Sequence, residues 1–307
     1  MQYHRTVECT FEVGPRPTLR VANSRGELVI VGEDREDIVL VAQLSTDADS
    51  EREGEARLDA IRLPTHQAGD IVTVGPPEHD ESPTGAVTIF GFRVGVGWGS
   101  GTRVAMQLRV PRECTVHAAH RSGTLRAHGL HADLHIESRS GRVEVGDIRG
   151  NVRIEARSGG TEARDITGNL TVDVRSGKVE VEQVTGDVRL ETRSGSLTAR
   201  DITGPISIRG RSGRIRLEDV DGRFEVSTTS GSVEYRGRVA HPGTINVHHG
   251  SVRLAVTRDS GFYMDAESHN GSVRSELPVD YLERPPADAP TVRVRTHNGS
   301  IRVVAGA

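Results

Sequence analysis

The sequence is poor in the residues that usually announce a function. Two cysteines, Cys9 and Cys114, stand in 307 residues. That is too few for a disulfide framework or a thiolate metal cage, and both read as partly buried thiols in strand-like segments. Aromatic side chains make up 3% of the chain. The core must therefore come from Val, Ile, Leu and Ala, and the β-branched residues among these favour strands. Neither sign of charge dominates: 39 basic against 43 acidic side chains give a net charge of −4, which argues against a dedicated nucleic-acid binder. No apolar run reaches the length of a membrane-spanning helix. The opening MQYHRTVECTFEVGP lacks the apolar stretch of a secretory signal. The expectation is a cytoplasmic chain with no membrane span, association with the cell envelope being the other option.

What the chain has in abundance is glycine, 35 residues of it, arranged in a repeat. Arg-Ser-Gly occurs at 121, 139, 157, 175, 193 and 211, and Thr-Ser-Gly follows at 229, always 18 residues apart. A second glycine keeps the same period at 150, 168, 186, 204 and 222. With each unit numbered from its Arg, positions 5, 7, 10, 14 and 16 are apolar with few exceptions. Position 14, for instance, reads Leu134, Val152, Leu170, Val188, Ile206, Phe224. Arg, Glu, Thr, Lys and Ser lie between, a period-two alternation that predicts strands with one buried face.

A strand this short cannot bury its face alone. Stacking like coils at ~4.8 Å solves that, with glycines at the corners. The fold expected is all-β: a right-handed single-stranded parallel β-helix, a β-solenoid of 18 residues per coil. A calcium-binding β-roll would need G-G-x-G-x-D, and a left-handed hexapeptide helix would show apolar markers every six residues. The markers here recur every nine.

Beyond 240 the triplet becomes His248-His249-Gly250, His269-Asn270-Gly271 and His297-Asn298-Gly299, and the spacing lengthens around the proline-rich loop 278–290. The coils are expected to continue to the end with insertions. Residues 1–115 read as an irregular N-terminal cap with a first degenerate coil (Ser24 to Val41) and a charged helix candidate at 47–63. Residues 116–307 form the solenoid, regular to about 240.

The early N-x-x-G segment, the charged insertion, and R-V-P-R-E-C-T-V-H-A-A-H-R-S-G leading into S-G-x-V-x-V units together resemble the bacterial putative-adhesin β-helix family over residues 20–305. That resemblance implies a parallel β-helix and adhesion at a surface.

Most repeated polar columns read as structure. The Asp column (147, 165, 201, 219, with Gln183 interrupting) suits turn capping. The serine ladder at position 2 has too many equal copies to hold a nucleophile. The Arg column at position 1 faces acids at position 17, namely Glu137, Glu155, Asp173 and Glu191, and an ion-pair network is expected between them. Position 17 then becomes Arg209 and Ser227, so an anion site is expected around Arg193, Arg209 and Arg211. His117 and His135, 18 apart, are a weak metal candidate. Phe90, Phe92 and Trp98 lie outside the array on a glycine-rich excursion, as a structural seal or a partner-binding anchor.

The reading is a non-enzymatic scaffold or adhesin-like binding protein with no cofactor and a protein or polysaccharide partner. A carbohydrate-active β-helix enzyme and end-to-end self-association through the solenoid ends are the alternatives.

Overall fold

A computed structural model describes residues 1–75, 103–257, 261–277 and 289–306, together with the backbone of 78–79, 86–89 and 92–95. Residues 1–157 and 158–307 form two compact units.

In the first unit, β1 (Gln2–Glu12), β2 (Thr18–Glu33) and β3 (Asp37–Asp47) precede a short helix α1 (Glu51–Asp59). Ser50 caps that helix by accepting a hydrogen bond from the Glu53 amide. Small strands follow: β4 (Ile61–Arg62), β5 (Thr65–Ala68), β6 (Ile71–Val74), β7 (Glu78–His79), β8 (Ala86–Ile89) and β9 (Phe92–Gly95). β10 (Arg103–Pro111), β11 (Thr115–Leu130) and β12 (Leu134–Arg149) complete it.

The degenerate coil of the N-terminal region is a full one. β2 stacks in parallel on β11, with Gly26 opposite Gly123 and Leu28 opposite Leu125. β11 stacks on β12 with the 18-residue offset. On its other edge β2 is covered by β6 along Thr18–Val21 and by β10 from Leu28 onward. β3 runs antiparallel to β10, and β1 antiparallel to β3. An open solenoid edge, which would invite another chain, is thereby closed from within.

β13 (Val152–Thr167) begins in the first unit and ends in the second. There β14 (Leu170–Thr185), β15 (Val188–Thr203), β16 (Ile206–Asp221), β17 (Phe224–Gly237) and β18 (Gly243–Val256) stack consecutively and in parallel. Each regular coil is one long bent strand rather than several short ones. Gly at position 3 makes the bend possible. Its φ lies between 119° and 146° in the coils at 123–231, and a Cβ at Gly123, Gly141, Gly177, Gly195, Gly213 or Gly231 would fall within 2 Å of the preceding coil's glycine carbonyl. The serine beside it donates to the preceding coil's main chain, as Ser140 does to Arg121 O at 3.1 Å and Ser212 to Arg193 O at 3.2 Å.

The Asp column serves the backbone in a way other than capping. Asp147, Asp165, Asp201, Asp219 and Gln183 hold φ between 50° and 56°, the left-handed region that Asp tolerates better than most residues.

The last coils depart from chain order. β19 (Tyr263–Asn270) and β20 (Val273–Ser275) precede β21 (Thr291–Asn298) and β22 (Ile301–Ala305) in sequence. In space β21 and β22 lie between β18 and the β19–β20 coil. Residues 292–305 are therefore interior to the stack, and β19–β20 carries its outer edge, unpaired among the described residues. Burial explains the order. Val292, Val294, Ile301 and Val303 are fully enclosed, whereas Val273 of the edge coil is 43% exposed.

Position 18, just ahead of the Arg column, also points inward, and the apolar pattern did not reveal it. It holds Asn23, His120, Ser138, Val174, Thr192, Thr228, Val247 and Thr296, all buried, with Ala156, Gly210 and Ser268 half-buried. Thr192 and Thr228 donate to the main-chain oxygens of Ser194 and Ser230 at 3.4 and 3.3 Å.

Candidate binding surface on the C-terminal coils

Of the residues singled out from sequence, Phe90 and Trp98 lie outside the described residues. Phe92 opens β9, opposite Ile89, with only its backbone described. His117 and His135 are register partners with ring centroids 5.9 Å apart, and Glu155 approaches His135 at 3.8 Å. Burial lowers the pKa of both rings. No group of three or more His, Cys, Asp or Glu suited to a metal occurs among the described residues.

Two of the acids at position 17 pair within their own strand. Glu155 pairs with Arg153 and Glu191 with Arg189, both at 2.7 Å and both with position 15 of the same strand. These residues lie two apart on one outward face. Arg209 reaches Glu191 at 3.6 Å. Arg193 and Arg211 are exposed, and their side chains make no ion pair among the described residues. Beside the pairing expected between positions 1 and 17, Glu155 and Glu191 thus make pairs within one strand.

The feature missed from sequence lies next to it. An open trough of about 610 Å³ runs across the second unit's last coils. Its walls are the outward positions 17 and 1: Ser227 and Thr229, Asn246 and His248, Arg295 and His297, then Glu267 and His269. Its floor is position 18, with Thr228, Val247 and Thr296. Farther back, position 1 is arginine. Here it is threonine and then three histidines, whose rings stack along the coil order His248–His297–His269 at 4.9 Å per step. His249 meets His248 edge-on at 4.3 Å. Beside this stack Asn270 donates to Asn298, and Asn298 lies 2.9 Å from His249 Nδ1. The signal was visible in sequence as the change from Arg-Ser-Gly to His-Asn-Gly. Only the coil order makes the three rings neighbours.

The charges of the trough cancel. Arg295 grips Asp265 through both terminal nitrogens at 2.8 and 2.7 Å and reaches Glu267 at 3.3 Å. Arg295 and Arg293 hold the Asp265 carboxyl below its usual range. Desolvation and the neighbouring His269, His248 and His249 push the His297 pKa down, which favours its neutral ring. At neutral pH the lining offers imidazole, hydroxyl and amide groups, donors and acceptors together. Glu267 is the sole carboxylate lining it among the described residues, so there is no acid pair of the kind that divides acid and base roles.

The Toastrack DUF4097 family model matches residues 50–303, most of the trough's coils included. The chain belongs to the Toastrack DUF4097 family. Three solved structures resemble this Toastrack chain over nearly its whole length. A "putative cell adhesion protein" from Clostridium sporogenes is 9% identical, with a TM-score of 0.21, covering 98% of this chain and 100% of its own. A "putative adhesin" from Bacteroides fragilis is 10% identical, with a TM-score of 0.37 and 97% coverage of both chains. A "putative lipid binding protein" from Parabacteroides distasonis is 9% identical, with a TM-score of 0.29 and coverages of 97% and 96%. No curated protein sequence matches significantly. Among the described residues no helix is long and apolar enough to cross a membrane.

Proposed function

We propose that this Toastrack chain is a non-catalytic binding scaffold of the adhesin type, and that its C-terminal coils carry the contact surface. The observation behind this reading is the break in the repeat's surface pattern. The regular columns serve the architecture. Glycine packs against the next coil, serine bonds the preceding main chain, and Asp supplies a left-handed backbone. Where positions 17 and 1 turn to Asn, Ser, Thr and His, the surface opens into the trough. Such a row of polar groups that no structural column requires is what a ligand site needs.

The test is a surface-binding and glycan-array screen of the full chain beside His248→Ala/His297→Ala/His269→Ala. Binding that falls in the triple variant, with the circular dichroism unchanged, supports the reading. Turnover of a polysaccharide by the wild type would overturn it.

A second reading rests on the edge coil. Among the described residues β19–β20 presents an unpaired outer edge and Val273, 43% exposed, which suits association with another copy. Light scattering across a concentration series decides it: a constant monomer mass rejects it.

A further inference from the structure

On the outward face that follows the Ser-Gly corner, the cations at positions 6 and 8 of the regular coils each meet a carboxylate. Arg126 lies against Glu27 and Glu144. Lys178 pairs with Glu180 at 2.7 Å, Arg200 with Glu218 at 2.7 Å, and Arg216 with Glu234 at 3.2 Å. Like charges directly opposite each other on neighbouring strands destabilise a sheet, and these coils keep their cations apart.

The last three coils do not. Position 6 is Arg253 in β18, Arg302 in β22 and Arg274 in β20, and the register sets Arg302 opposite both of the others. Three guanidinium groups therefore follow one another at strand spacing, ~4.8 Å per step. All three are exposed, and none makes an ion pair among the described residues. The acids nearest in register are spoken for or isolated. Glu234, beside Arg253, is held by Arg216 and by Arg236 at 2.8 Å. Glu276, two residues beyond Arg274, makes no ion pair among the described residues.

We propose that Arg253, Arg302 and Arg274 form a binding line for an extended acidic polysaccharide, whose carboxylate or sulfate groups are met one per coil. This rests on the binding-scaffold reading above and names its ligand class. Guanidinium is the side chain suited to bidentate recognition of such oxyanions. A parallel row of hydroxyls, Ser251, Ser300 and Ser272 at position 4, flanks the arginines two residues away and matches the hydroxyls of sugar rings. The row is one residue wide, on a chain whose net charge is −4. That disfavours a membrane surface, which a broad basic face would serve better. No aromatic residue stands at the flanking positions 4 and 8 to stack a nucleic-acid base.

The test uses the full chain and titrates polygalacturonate, heparin, neutral dextran, anionic phospholipid vesicles and single-stranded DNA. Three variants run alongside: Arg253→Ser/Arg302→Ser/Arg274→Ser, the same positions changed to Lys, and the trough variant with three alanines for histidine. Expected is binding of one or both acidic polysaccharides, weakened at least tenfold by the Ser triple, retained in part by the Lys triple, and reduced by added salt. Polygalacturonate carries carboxylates alone and heparin both groups, so binding of polygalacturonate assigns carboxylate and binding of heparin only assigns sulfate. Equal affinity of the wild type and the Ser triple overturns the proposal, as does binding of vesicles or DNA in preference to both polysaccharides. If a neutral glycan binds through the trough while the acidic ones do not, this inference fails and the scaffold reading stands. If nothing binds, both fail.

Discussion

Phe224 and Gly243 are a matched pair. They are register partners on β17 and β18, and a Cβ built on Gly243 would fall 1.9 Å from Phe224 Cζ. The same ring stacks on Tyr235 at 4.9 Å. The glycine is the space into which the one phenylalanine of the position-14 column fits. Gly243→Ala is expected to cost about 1–3 kcal/mol by overpacking. Phe224→Leu in the same chain should recover part of that, a coupling that a double-mutant cycle in urea measures. Strict additivity would mean the two residues do not share this space.

The core columns carry the stability. Ile208 is fully buried between Leu190 and Val226, so Ile208→Ala is expected to cost about 2–5 kcal/mol. Arg211→Ala, on the exposed face, should leave the denaturation midpoint where it is. Comparable losses for the two would reverse the assignment of inner and outer faces.

His120 should make the fold acid-sensitive. It is 1% exposed, between Asn23 and Ser138 in the inward position-18 column, and among the described residues neither ring nitrogen has a partner. Burial lowers its pKa from 6.5 to about 4. The folded state therefore prefers the neutral ring. Stability from this residue is complete above the unfolded pKa of 6.5 and is lost as pH falls from there toward 4, by about 3 kcal/mol in all. His120→Val should flatten the acid limb of stability against pH without lowering stability at pH 7. Parallel acid limbs for the two proteins would remove His120 from the account.

The two cysteines should differ in reactivity. Burial pushes the Cys114 thiol up to about 12, which leaves it protonated at pH 8 and inert. Cys9 on β1 is half-buried. A chromogenic disulfide reagent is expected to titrate one thiol in the native protein and the second only on unfolding. Fast reaction of both would place Cys114 at the surface.

Much of this protein was legible in its sequence, because a solenoid writes its geometry as a period. The 18-residue repeat set the register, since like residues must stack at strand spacing, and the alternating columns marked the inner face from Leu134 to Val226. The inward position 18 escaped because it mixes His120, Ser138, Thr192 and Val247. The bend at the Ser-Gly corner turns it into the core whatever its polarity. The pairing of Glu155 with Arg153 and of Glu191 with Arg189 escaped as well, because several cations lie within reach of each acid and side-chain geometry chooses among them.

The coil order at the C-terminus is what only the tertiary structure decided. Coils of one pattern can stack on one another in any order, so the period is silent about which neighbours which. The stretch between β20 and β21 is long enough for the chain to turn back. The more apolar coil, with Val292, Val294, Ile301 and Val303, takes the enclosed place, while the one with Ser275 and Glu276 takes the edge. That exchange brings His297 between His248 and His269, and Arg302 between Arg253 and Arg274.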